Sequence, residues 1–158
     1  MDHKILIIGI GNNTRGDDGL GWAFIERIRH ECPFDIEYRY QLQVEDAELI
    51  SHYERVIFVD ATRENIIDGI SFKLLRPEKN FSITTHRLDP SAILWICDDL
   101  YDHCPEAFLL AIQGVRWDLG KPISERAKKN LEHSIVFFKK LIQEYNHEED
   151  RTRIQMTE

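Results

Sequence analysis

The chain has 158 residues, of which 42% are hydrophobic and 30% are charged, enough to bury the core of one ordinary globular domain. Its formal net charge of −8 argues against nucleic acid as a partner, because phosphate binding depends on clustered Lys and Arg. No apolar run approaches the ~18 residues that a membrane span needs, and the first residues, MDHK, lack the layout of a signal peptide. We therefore expect a cytoplasmic monomer with neither a membrane nor a nucleic-acid partner.

Five strands and four helices are predicted in alternation along the chain. The first, third and fifth strands contain the near-continuous apolar runs ILII, VIFV and FLLAI, which are typical of strands covered on both faces. The strands are predicted over residues 4–10, 36–42, 55–60, 71–75 and 107–113. This order predicts an α/β fold, a single domain with a twisted, mostly parallel sheet and helices on both faces.

The helices are indicated by apolar periodicity and by capping residues. Leu20, Phe24 and Ile28 form one apolar stripe, and EDAELISHY is a short helix candidate. Asp89 followed by Pro90 predicts the start of a third helix, and Ser124 is expected to cap a long fourth helix. The apolar pattern ends at residue 146, so residues 1–146 are predicted to form the domain and 147–158 a flexible C-terminal tail.

The turn after the first strand, GIGNNTRGDDGLG, holds five of the eight glycines and two adjacent acids. Gly9 and Gly11 fit the start of a dinucleotide fingerprint, but Thr14 occupies the position of its third glycine. Asp17 and Asp18 would also repel a pyrophosphate at a helix N-terminus. The turn therefore argues against a nucleotide site. We expect Asp17 to cap the following helix, so that its replacement by Asn costs ~1 kcal/mol or less, and Asp18 to be a ligand.

Two further residues are expected near Asp18. Asp60 directly follows the apolar run of the third strand, and His86 precedes the helix that Asp89 caps. Alone, Asp60 is more typical of a turn former, and a single loop histidine is more often simply solvated. Together, two carboxylates and an imidazole at the carboxyl edge of a sheet suit a divalent first-row metal with open positions.

In this order, GIGNNTRGDDGLG, VIFVDA and TTH resemble the hydrogenase maturation proteases, which remove the C-terminal extension of the large subunit of nickel–iron hydrogenases. The segments YQLQVEDAELI and AIQGVRWDLGKPISERAKKNL extend the resemblance over residues 4–142. The resemblance implies a phosphorylase/hydrolase-like fold and a hydrogenase large-subunit precursor as the partner. It also implies that Asp18, Asp60 and His86 bind nickel already seated in that precursor.

The sequence leaves the catalytic group open. It contains neither GxSxG nor HExxH, so serine and zincin chemistry have no support, and Asp18 and Asp60 are unranked candidates for an aspartyl-type general base. Three cysteines without CxxC spacing, Cys32, Cys97 and Cys104, predict idle thiols. The alternative function is a non-enzymatic, nickel-dependent docking module for a hydrogenase precursor.

Overall fold

A computed structural model describes residues 4–79 and 88–157. Within these residues, five strands and four α-helices follow in the chain order β1, α1, β2, α2, β3, β4, α3, β5, α4. The strands are β1 (Ile5–Ile10), β2 (Asp35–Arg39), β3 (Arg55–Thr62), β4 (Ile70–Leu75) and β5 (Glu106–Gln113). The helices are α1 (Leu20–Ile28), α2 (Asp46–Ser51), α3 (Pro90–Leu100) and α4 (Glu125–Thr157), and the residues Gly16–Gly19 form a 3-10 turn before α1.

The five strands form one sheet in the order β2-β1-β3-β5-β4. All neighbours are parallel except β4, which is antiparallel to β5. Every residue of β1 is buried, and so are the four apolar residues that follow Arg55 in β3. The apolar runs therefore occupy the centre of the sheet, and the predicted fold class is confirmed.

Helices cover both faces of the sheet and give two apolar cores. The core under α1 and α4 contains Phe24, Ile57 and Phe138, and the core under α2 and α3 contains Ile50, Phe58 and Ile93. The alternation of Ile57 and Phe58 between the two cores follows from the two-residue period of a strand. No helix within residues 4–79 and 88–157 is long and apolar enough to cross a membrane.

A glycine allows α1 to approach the sheet closely. A Cβ atom on Gly21, in the first turn of α1, would lie 2.6 Å from the carbonyl oxygen of Val59 and would also overlap that of Ile10. Any larger residue would push the helix away from β1 and β3. This glycine of the GIGNNTRGDDGLG segment thus serves helix packing, which is also the role of the third glycine of a dinucleotide fingerprint.

Both predicted helix caps are present. The Asp89 side chain accepts a hydrogen bond of 2.8 Å from the N–H of Ala92, and the Ser124 hydroxyl accepts one of 3.2 Å from Ala127. The apolar pattern of the fourth helix ends at residue 146, but α4 itself continues to Thr157, and the flexibility of residues 147–158 stays a prediction. The extension contains no Gly or Pro, and its polar residues propagate a helix well, with Tyr145 donating to Glu149 one turn on.

All three cysteines are free. Cys97 is fully buried in the core under α2 and α3, and burial raises the pKa of its thiol to about 12. Burial also raises the pKa of Cys32 and of Cys104. At neutral pH these thiols are protonated, which makes them poor nucleophiles.

Candidate active site

A cleft of about 510 Å³ lies at the carboxyl ends of β1 and β3. The chain leaves β1 for β2 on one side and returns across the sheet to β3 on the other, so the cleft lies where the direction of strand order reverses. Ligand sites of open α/β sheets form at this point. Asp18 and Asp60 both line the cleft, so the structure brings these two predicted site residues together.

Asp18 is held by a tight reversal of the chain after β1. The N–H of Asn12 donates to both the backbone carbonyl and Oδ2 of Asp18, each at 3.1 Å. Gly11 has a φ of 140°, and a Cβ atom there would overlap the Asp18 carbonyl oxygen. Glycine is thus required where Asp18 folds back over the end of β1. The Asp18 side chain is half-buried on the cleft wall.

Asp60 lies inside β3 and not at its end. The last residue of β3 that pairs with β1 is Val59, whereas the pairing with β5 continues to Thr62. Asp60 is therefore the first residue of β3 beyond its pairing with β1, and its half-buried side chain borders the cleft. Its Oδ1 accepts a hydrogen bond of 2.8 Å from the N–H of Ala61.

Asp17 does not cap α1, and the prediction that it does was wrong. Neither α1 nor the 3-10 turn before it has a side-chain cap. The Asp17 carboxylate is fully buried and accepts four hydrogen bonds from the loop between β5 and α4. The backbone donors are Val115 at 2.7 Å, Arg116 at 2.8 Å and Ser124 at 2.7 Å, and the Ser124 hydroxyl donates at 2.8 Å. Asp17 thus anchors this loop, and through Ser124 the start of α4, to the turn that carries Asp18.

These contacts determine the charge of Asp17. Burial alone would raise the pKa of its carboxyl, but the hydrogen bonds from Ser124, Val115 and Arg116 outweigh burial and hold the pKa below the ordinary value of 3.8. The group is therefore a buried anion at neutral pH that is satisfied by fixed hydrogen-bond donors.

His86, the third predicted ligand, lies outside the described residues. Among residues 4–79 and 88–157, no three His, Cys, Asp or Glu side chains come together as a metal-binding group. The ligand roles of Asp18, Asp60 and His86 stay predictions. The donor set fits such an ion in kind, since carboxylate oxygens suit hard and borderline divalent metals.

Sequence reasoning missed the features that build the other walls of the cleft. Asp46 is almost fully buried, and it accepts hydrogen bonds from Arg39 Nε at 2.9 Å and from the N–H of Gln43 at 2.8 Å. These bonds order the loop after β2, whose residues 40–42 line the cleft. Across the cleft, the guanidinium of Arg63 lies 4.4 Å from the ring centre of Trp117. Only the tertiary structure reveals these pairs.

Solved structures with the same fold include hydrogenase maturation proteases. A [NiFe] hydrogenase maturation protease HycI from Thermococcus kodakarensis superposes with a TM-score of 0.68 at 23% identity, over 89% of this chain and 93% of that one. The hydrogenase maturating endopeptidase HybD from E. coli superposes with a TM-score of 0.69 at 15% identity, over 90% of this chain and 93% of that one. A hydrogenase 2 maturation peptidase from a Thaumarchaeota archaeon gives 0.64 at 18% identity, over 88% and 97%.

No protein-family model and no curated protein matches the chain. At the identities of the solved structures, the similarity establishes the fold. The chain therefore has the fold of the hydrogenase maturation proteases over almost its full length, which agrees with the resemblance seen in its sequence motifs.

Proposed function

We propose that this protein is a hydrogenase maturation protease. In this proposal it is an endopeptidase that removes the C-terminal extension of a nickel–iron hydrogenase large-subunit precursor after nickel insertion. The observation that carries the proposal is the presence of Asp18 and Asp60 in one cleft at the carboxyl edge of the sheet. The fold shared with maturation proteases and the GIGNNTRGDDGLG segment support the same assignment.

In the proposed mechanism, Asp18, Asp60 and His86 are ligands to nickel that the precursor brings into the cleft. Asp18 suits this role because Oδ2 takes the Asn12 hydrogen bond while Oδ1 has no hydrogen-bond partner among the described residues. The nickel marks the substrate, and as a Lewis acid it can polarise a peptide carbonyl or lower the pKa of a water molecule. A carboxylate of the cleft then accepts the proton of the attacking water, and the choice between Asp18 and Asp60 is left open.

The proposal is tested with the nickel-loaded large-subunit precursor from the same organism. The wild-type protein should shorten the precursor, and Asp18→Asn and Asp60→Asn should each lower the rate at least ~100-fold, because each removes a charged group from the reacting centre. Electrophoresis and mass spectrometry of the precursor measure the product. Asp99→Asn, an exposed position on α3, is the matched control and should keep the full rate.

The same assay separates the protease from the alternative of a docking module. A docking module would bind the nickel-loaded precursor and leave its length unchanged. Binding without any shortening, under conditions where the precursor is intact and nickel-loaded, would contradict the proposed function.

A further inference from the structure

Two arginines line the cleft that contains Asp18 and Asp60. Arg15 belongs to the turn that precedes Asp18, and Arg63 directly follows β3, three residues after Asp60. Among the described residues, neither arginine side chain forms an ion pair or donates a hydrogen bond, and the Arg63 guanidinium contacts the ring of Trp117. Their charges are therefore available to a molecule that enters the cleft.

The Arg63 side chain is positioned by its contact with Trp117. Its guanidinium lies over Trp117, and this ring packs on the backbone, since a Cβ atom on Gly114 would lie 3.0 Å from it. The loop that carries Trp117 is fixed by the hydrogen bonds to Asp17. A guanidinium held by the face of an aromatic ring still has N–H groups to donate to a planar acceptor.

The charges around the cleft select the class of ligand. Its other charged residues within the described ranges are the acids Asp18, Asp60, Glu64 and Asp89, and the whole chain has a net charge of −8. A doubly charged phosphate would be repelled strongly in these surroundings. A single carboxylate can accept two parallel hydrogen bonds from one guanidinium, and the positive charge of that guanidinium compensates its one negative charge.

We propose that Arg63, assisted by Arg15, binds a carboxylate of the peptide that the cleft receives. This inference rests on the proposed function and names the substrate feature: an acidic side chain of the extension or its terminal carboxylate. The carboxylate and the nickel-bearing segment would then be held at different parts of one cleft, so the peptide could lie in only one direction. Arg63 is thus a specificity-determining residue, not a catalytic one.

Peptide binding tests the inference without any need for cleavage. The probe is a fluorescent decapeptide of Gly, Ser and Ala that ends in two Glu residues, compared with versions that carry a C-terminal amide, Gln in place of Glu, or both changes. We expect the fully neutral peptide to bind at least ~10-fold more weakly than the peptide with all its carboxylates. The single changes then show which source of carboxylate is bound.

Variants of the protein assign the effect to Arg63. Arg63→Gln should weaken binding of the acidic peptide ~10-fold and leave binding of the neutral peptide unchanged. Arg63→Lys should bind the acidic peptide with an affinity between those of the wild-type protein and Arg63→Gln, because Lys keeps the charge and loses the planar fork of N–H donors. Arg126→Gln, an exposed position on α4, should behave as wild type. Equal binding of acidic and neutral peptides, or no effect of Arg63→Gln on a protein that melts as wild type does, would overturn the inference.

The precursor assay separates this inference from the proposed function. If the protein is a maturation protease, Arg63→Gln should raise KM for the nickel-loaded precursor ~10-fold with little change in kcat, since the interaction is remote from the reacting bond. An unchanged KM would overturn the assignment of this carboxylate to the substrate. Peptide binding through Arg63 in a protein that shortens no precursor would support the carboxylate site and contradict the protease.

Discussion

Replacing Asp17 with Asn should lower the free energy of unfolding by about 3 kcal/mol, because the loop between β5 and α4 donates four hydrogen bonds to this buried carboxylate. An Asn side chain offers one acceptor oxygen. Its NH₂ group would take the place of the second Asp17 carboxylate oxygen and would face hydrogen-bond donors. For a domain of this size, the melting temperature should fall by roughly 6–12 °C. This loss is well above the small cost that a helix cap would have predicted.

Chemical and thermal unfolding measure the effect, with Asp118→Asn as the control. Asp118 is an exposed residue of the same loop, and its replacement should change stability by less than ~0.5 kcal/mol. Asp18→Asn should leave stability near the wild-type value, since its carboxylate accepts only one hydrogen bond within the described structure. Equal stability of the Asp17→Asn and Asp118→Asn variants would contradict the anchoring role of Asp17.

The stabilising contribution of the Asp17 carboxylate should also be lost at low pH. Because the pKa of Asp17 in the folded protein is lower than its ordinary value of 3.8, the charged form stabilises the fold. This contribution is fully present when the pH is above the pKa of Asp17 in the unfolded chain. It is lost as the pH falls from there through the lower pKa that Asp17 has in the folded protein. The wild-type protein should therefore lose stability below about pH 4 more steeply than Asp17→Asn, as measured by melting temperature against pH. Parallel curves in that range would show that Asp17 is not the responsible group.

The fold was largely predictable because its signals are local. Period and apolar content identified all five strands, and the cap at Asp89 and the one at Ser124 were visible in single residues. The antiparallel direction of β4 was not visible, since strand direction depends on how the chain crosses the sheet. The helical extension of α4 was missed because apolar periodicity ends before helix propensity does.

The candidate site was predictable only in part. The turn with Asp18 and the strand with Asp60 could be assigned to one sheet edge, because parallel strands end together. The role of Asp17 could not, since its partners lie 98 to 107 residues further along the chain. The contact of the Arg63 guanidinium with the ring of Trp117 likewise joins residues that are far apart along the chain. No pattern within one segment encodes such a contact.

Nickel in the precursor, and not nickel in this protein, should trigger cleavage. Within residues 4–79 and 88–157 the cleft is lined by carboxylates and contains no cysteine, and the three thiols of the chain lie in or against the apolar cores. Such a cleft lacks the soft ligands that would hold nickel firmly by itself. In the proposed mechanism, a metal already bound by thiolates of the precursor accepts Asp18, Asp60 and His86 as further ligands. Weak binding of free nickel is then what allows the enzyme to distinguish a loaded precursor from an empty one.

Purified protein should therefore contain little nickel by elemental analysis, and it should cut the nickel-loaded precursor while leaving the metal-free precursor and a free tail peptide intact. In the proposed mechanism, His86→Ala removes a nickel ligand, so it should reduce processing at least ~100-fold while the protein stays folded. His147→Ala, at an exposed position on α4, is the control and should process normally. Efficient cleavage of a metal-free precursor in the presence of a chelator would overturn the nickel trigger but not the protease assignment, since the carboxylates of the cleft would then act on the peptide without the metal.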